Sequence, residues 1–132
     1  MKKLNELKWL AFDIHNVFPE VKRGKRLKTD DHIKGNMAYV SSSAVNNGVD
    51  NFIGNKDGVR IFEDCITLAN SGSVGTAFYH PYAFVASDHV TKLKNIAFNK
   101  YIYLFIVTVA NRLAEKYALI GKLMINVWKE RK

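Results

Sequence analysis

At Asn99 the spacing of the apolar residues changes, and that change governs what the chain can fold into. Upstream, short runs rich in Val, Ile, Phe and Tyr alternate with polar residues and are punctuated by Gly, Asn and Pro, the pattern of strands joined by tight turns. Downstream, Ile102, Phe105 or Ile106, Val109, Leu113, Tyr117, Ile120, Met124 and Val127 recur every three to four residues, with Arg112, Glu115, Lys116, Lys122, Asn126 and Lys129 on the opposite side. This is the spacing of an amphipathic helix, bent at Gly121. Strands first and a helix last predict an α+β fold. Its β-rich part is a twisted, mixed or antiparallel sheet over residues 1–98, and a C-terminal amphipathic helical segment over 99–132 packs on the same domain or on a partner.

The strands can be placed from their punctuation. Trp9, Phe12, Ile14 and Phe18 form a strand or short turn that anchors the N-terminus, and Pro19 interrupts it. Val21 to Lys28 lacks a helical face and reads as a strand end running into a loop. Ala38 to Ser43 is a short strand, Asn46-Asn47-Gly48 a turn, because Asn and Gly tolerate positive φ, and Val49 to Ile53 the returning strand. Gly54 to Gly58 turns the chain again. Arg60 to Ala69 is a partly buried strand, Asn70 to Gly75 a turn, and Thr76 to Tyr79 the return. Pro81 marks an edge or a bulge, and Phe84 to Leu93 completes the β-rich part.

With 132 residues, 48 % of them apolar, the chain suits one domain with one core and is not disordered. The apolar run Tyr101 to Ala110 stops at Asn111 and Arg112, too short to span a bilayer. Lys2 and Lys3 precede a polar stretch, not a signal peptide, so a soluble cytoplasmic protein is expected. Cys65 stands alone, which excludes an intrachain disulfide and a thiolate metal site and leaves a small buried hydrophobe. The net charge of +8 is uneven: +4 over residues 1–35, −3 over 36–91 and +7 over 92–132. Basic flanks around an Asn/Ser-rich centre suit a division of labour in which cations neutralise phosphates and the centre contacts bases.

Each candidate constellation has a second, plainer reading. Lys22, Arg23, Lys25, Arg26 and Lys28 would grip a phosphate backbone, or form a solvated turn that discourages edge pairing. Ser41, Ser42 and Ser43 at a strand end have little turn value and suit hydrogen-bond readout, whereas Asn46 and Asn47 are read first as the turn itself and only second as readers. Asn70, Ser71 and Ser73 lie in a Gly-containing turn without the length or Lys-Ser/Thr ending of a phosphate loop, so the turn is read as presenting polar side chains. Tyr79 and His80 follow as further readers, with Phe78 and Phe84 filling the core and Tyr79 and Tyr82 near the surface. Ser71 or Ser73 with His80 or His89 and Asp88 supplies the residue types of a hydrolase triad without the nucleophile-elbow pattern. No histidine pair has metal-ligand spacing on a helix, and no cofactor motif is present.

Over roughly residues 9 to 117 the chain resembles the target-recognition domain of the specificity (S) subunit of type I restriction–modification systems. The resemblance rests on Trp9, Phe12 and Ile14, the Gly24-Lys25-Arg26 loop, and Gly35-Asn36 ahead of Tyr39-Val40-Ser41-Ser42-Ser43. Asn46-Asn47-Gly48, Leu68-Ala69-Asn70-Ser71-Gly72-Ser73-Val74-Gly75 and Phe78-Tyr79-His80 complete it. It implies a non-catalytic domain that docks on double-stranded DNA, reads one half of a bipartite target, and works with methyltransferase and restriction subunits. The apolar tail ALIGKLMINVW departs from the polar, basic segment expected before a spacer helix, and one recognition domain stands where the family has two. The resemblance thus points to a single-domain or truncated form that pairs as a homodimer or with a second half-specificity chain. The alternative is a protein-interaction module of the same system, acting through the apolar C-terminal helix without touching DNA.

Overall fold

The computed structural model describes residues 16–72 and 75–116. Among them, β1 (Glu20–Arg23), β2 (Lys34–Val40), β3 (Val49–Ile53), β4 (Ile61–Ala69), β5 (Ala77–Ala86) and β6 (Val90–Lys94) form one sheet, followed by a helix, α1 (Lys100–Lys116). The strand order is β1-β6-β4-β5-β2-β3, antiparallel at every neighbour except the parallel pair β2–β5. The fold is thus α+β with a mixed sheet, as the order of periodicities predicts. Trp9, Phe12 and Ile14 lie outside the described residues, whereas Phe18 is buried in the core. No described helix is long and apolar enough to cross a membrane.

Both faces of the sheet carry apolar side chains, as strand alternation requires. Phe18, Ile66, Leu68, Ala77 and Leu93 meet Tyr103 of α1 on one face. Val40, Phe62, Cys65, Phe84, Ala86 and Val90 pack together on the other. Cys65 is fully buried there, and burial pushes its thiol up to about 12, well out of the reactive range. Two residues of β5, Pro81 and Tyr82, stand opposite one of β4, Asp64, which adopts a φ of +50°. This bulge lets Phe62 and Cys65, three apart in sequence, share a face. It also accommodates Pro81, so β5 runs unbroken through ten residues where two strands were expected.

β2 differs from expectation as well. It begins at Lys34 and ends at Val40, because the Ser41 amide turns away to bond the Gly48 carbonyl at 2.9 Å and leaves the serines outside the ladder. The last expected strand is divided in two by the turn at residues 87–89.

Asn99 caps α1, its Oδ1 accepting from the Ile102 amide at 3.0 Å. The helical period holds but its phase is rotated. Tyr103, Ile106, Val107 and Ala110 face the sheet, while Ile102, Phe105 and Val109 point outward together with Tyr101 and Leu104. Tyr103 fixes this phase by stacking on Tyr79 at 4.9 Å and by donating its hydroxyl to the Asn95 carbonyl at 2.8 Å. The stripe from Tyr117 onward and the bend at Gly121 lie outside the described residues. Asn111 docks the far end: its Oδ1 accepts from the Ala77 amide at 2.7 Å and its Nδ2 donates to the Ala77 carbonyl at 2.8 Å. Asn111→Ala would leave both main-chain groups of Ala77 unsatisfied and is expected to lower stability by about 2 kcal/mol. An unchanged urea midpoint would show that the helix docks without this pair.

Candidate functional site

The sheet curls until the end of β1 meets the end of β5, and loops from four places in the sequence converge there. The closure is made by the main chain. The Gly24 amide donates to the Val90 carbonyl and the Lys25 amide to the Ala86 carbonyl, each at 3.0 Å. Gly24 is required at this crossing. A Cβ there would sit 2.0 Å from the Ser87 carbonyl oxygen and 2.5 Å from that of Ala86. Arg60 braces the same point, donating from Nη1 to the Arg23 carbonyl at 2.7 Å while its own carbonyl accepts from the Ala86 amide.

Two further loops are tied to the β5–β6 turn. The Ser87 amide donates to the Val40 carbonyl at 3.0 Å, and the Ser87 hydroxyl donates to Ser41 Oγ at 3.1 Å. That hydroxyl also accepts from the His89 amide at 3.1 Å. The Asn70 amide donates to the His89 carbonyl at 2.9 Å, and Ser71 Oγ lies 2.6 Å from His89 Nδ1. Ser42 packs against Gly72, where a Cβ would fall 2.6 Å from Ser42 Oγ. The basic loop, the serine run and the β4–β5 and β5–β6 turns thus form one continuous surface.

The side chains presented divide by charge. Lys22 on β1 and Lys25, Arg26 and Lys28 in the loop that follows it are exposed. Arg23 is half-buried with its Nε committed to the Asp88 carbonyl at 2.7 Å, so it first of all positions the turn. Ser41, Ser42, Ser43, Asn46 and Ser71 bring uncharged hydrogen-bonding groups from the neighbouring loops, and His89 adds an exposed imidazole. Ser73 lies outside the described residues.

Four expected readers are held elsewhere. His80 is fully buried, its Nε2 2.7 Å from Thr67 Oγ1 and its Nδ1 3.0 Å from the Tyr82 hydroxyl. Burial lowers its imidazole to about 4, so the ring is neutral at pH 7. Asn47 belongs to the same network: its Nδ2 reaches the Tyr82 hydroxyl at 2.9 Å and the Tyr79 carbonyl at 3.2 Å. Both Asn46 and Asn47 have positive φ, so the turn reading accounts for their backbones while Asn46 keeps an exposed side chain. Tyr79 faces α1, one residue from His80 and therefore on the opposite side of the strand. Burial and a bond to the Asp64 carboxylate push its hydroxyl up to about 12. Asn70 is buried and donates from Nδ2 to Thr91 Oγ1 at 3.0 Å. His80 and Asn70 are thus buried, and the polar groups of Asn47 and Tyr79 are engaged within the protein. Of the aromatic set, Phe84 is buried and Tyr82 exposed, as anticipated, and Phe78 is half-buried.

The structure does bring Ser71, His89 and Asp88 together, but not in the order a hydrolase uses. The serine engages Nδ1, and the Asp88 carboxylate lies 3.8 Å from Nε2, too far to orient the ring by a hydrogen bond. His89, absent from the residues expected to contact bases, is exposed at the centre of this cluster. Its signal in the sequence is the Ser87-Asp88-His89 run, whose hydrogen-bonding side chains suit reading a polar edge better than transferring a proton.

Residues 6–126 match the family described as type I restriction modification DNA specificity domain. The chain is 34 % identical over 121 residues to the specificity subunit S.BcgI of the type II restriction enzyme BgcI from Heyndrickxia coagulans, covering 89 % of this chain and 35 % of that protein. It therefore spans about a third of the length of this curated relative. In fold it is similar to the S subunit of a type I restriction–modification system from M. genitalium, with a TM-score of 0.56 and 16 % identity, over 84 % of this chain and 37 % of that one. It is similar also to the HsdS subunit from Thermoanaerobacter tengcongensis, with a TM-score of 0.52 and 9 % identity, over 98 % of this chain and 45 % of that one.

Proposed function

The chain belongs to the type I restriction modification DNA specificity domain family, and from that premise we propose that its four-loop surface reads one half of a bipartite target in duplex DNA for a methyltransferase and restriction complex. The observation that carries this reading is the convergence itself. Cations of β1 and the loop after it, and hydrogen-bonding side chains of three further loops, come from segments that are tied to one another through the main chain. Lys22, Lys25, Arg26 and Lys28 contact phosphates, releasing counterions and setting the register of the domain on the duplex. Ser41 to Ser43, Asn46 and Ser71 then meet base edges in the groove, where Asn and Ser can donate or accept. The domain performs recognition and leaves chemistry to its partner subunits.

The test is selection from a random duplex pool at about 50 and 200 mM salt, conditions that separate phosphate-only from base-specific binding. Enrichment of a short motif that survives the higher salt is expected; salt-labile binding without a motif would overturn the reading. The phosphate assignment has its own check. Lys25→Ala/Arg26→Ala/Lys28→Ala should weaken binding to all duplexes alike and flatten the log–log salt dependence by about two to three units. A slope unchanged from wild type would remove this loop from the interface.

Tyr101, Ile102, Leu104, Phe105 and Val109 on the outward face of α1 support the assembly part of the proposal. An apolar surface of this kind suits docking against a second copy or a companion half, which would complete a two-part reader.

A further inference from the structure

We infer that His89 and Asp88 together read an adenine through its major-groove edge. This rests on the assignment of the chain as a DNA specificity domain. The two residues form the tip of the β5–β6 turn, at the meeting point of the basic loop, the serine run and the β4–β5 turn. His89 is half exposed, yet its position is fixed from three sides: its amide bonds Ser87 Oγ, its carbonyl accepts from the Asn70 amide, and its Nδ1 meets Ser71 Oγ. A side chain held in this way is organised before a ligand arrives.

The contacts also choose the tautomer. If Nδ1 carried the proton, the lone pair of Nε2 would face the Asp88 carboxylate 3.8 Å away. With Ser71 donating to Nδ1, Nε2 carries the proton and faces that carboxylate favourably. The separation is too long for Nε2–H and Oδ1 to satisfy each other, so the tip offers a donor and an acceptor side by side. Adenine presents the complement in the major groove, an N7 acceptor next to the N6 amino donor. Guanine places O6 where the carboxylate stands, an acceptor against an acceptor, and is rejected. Arg23 holds the Asp88 carbonyl through its Nε, so the acceptor half of the pair is fixed by the basic loop.

The test uses the full chain and the motif obtained by selection. His89→Ala should retain overall affinity while relaxing the preference for adenine at one position by about tenfold or more, the discrimination typical of a paired base contact. Asp88→Ala should relax the same position. Replacing that adenine by 7-deazaadenine, which keeps base pairing but removes N7, should weaken wild-type binding and leave the His89→Ala protein indifferent. A motif unchanged in His89→Ala, or equal sensitivity of both proteins to the 7-deaza probe, overturns this inference and leaves the DNA-reading function standing. Absence of any motif with the wild-type chain overturns both.

Discussion

Gly24→Ala is expected to be the most damaging single methyl in the described structure. The added carbon would overlap the Ser87 and Ala86 carbonyl oxygens, both main-chain atoms fixed by the turn that carries His89. The Ala86 oxygen is held by the Lys25 amide and the Ser87 oxygen by the Val90 amide, so neither can move without breaking a main-chain bond of the closure. Overpacking that the surroundings cannot relax costs roughly 3 kcal/mol, and relief by opening the closure separates the basic loop from the other three. Two effects should therefore appear together, a lowered urea midpoint and loss of DNA affinity even at low salt. Gly58→Ala is the comparison. Its Cβ would meet nothing within 4 Å, and only its φ of +69° opposes the change, at about 1 kcal/mol. Equal stability losses for the two variants would refute the account of the closure.

The second large effect is a loss of stability in mild acid that traces to His80. In the unfolded chain the imidazole takes up its proton near its ordinary value of about 6.5. In the folded chain, burial holds it down to about 4. Between those values the unfolded state binds more protons than the folded one, so acid favours unfolding. The contribution is fully present above pH 6.5 and is lost as pH falls through 4, amounting to roughly 3 kcal/mol. Protonation places a charge beside Asn47 Nδ2 and the Tyr82 hydroxyl, and so strikes the turn that precedes β3. His80→Gln keeps a polar side chain without the titration. Its urea midpoint should start below that of the wild type at pH 7 and fall less between pH 6.5 and 4. Parallel curves for the two proteins would assign the acid sensitivity to other groups.

These expectations rest on features that differ in how far sequence alone revealed them. Val49–Ile53 was found with its limits, because Asn46-Asn47-Gly48 and Gly54 bracket it by local turn chemistry. The limits of β2 differ from expectation because the Ser41 amide bonds the Gly48 carbonyl and the Val40 carbonyl accepts from the Ser87 amide, partners that no local pattern exposes. The period of α1 was legible, but its phase was not. Apolar residues cover more than one side of the helix, and Tyr103 decides which side faces the sheet through Tyr79 and Asn95. At the site, the basic loop was legible because lysines and arginines need solvent. Tyr79 and His80 are adjacent in sequence, but neighbours on a strand face opposite ways, and here one meets the helix and the other Thr67. The contact that fixes the His89 ring comes from Ser71, 18 residues away, which no local pattern exposes.

The loops of this surface are joined mostly by amides and carbonyls: Gly24 to Val90, Lys25 to Ala86, Ser87 to Val40 and Asn70 to His89. Such bonds are indifferent to side-chain identity except where, as at Gly24, there must be none. Ser42, Asn46 and Ser71 can therefore be exchanged without redrawing the frame that holds them. Under the proposed function, stability is stored in one set of atoms and target choice in another. A frame built this way can acquire a new recognition sequence by a few substitutions while the partners that depend on its shape meet the same protein.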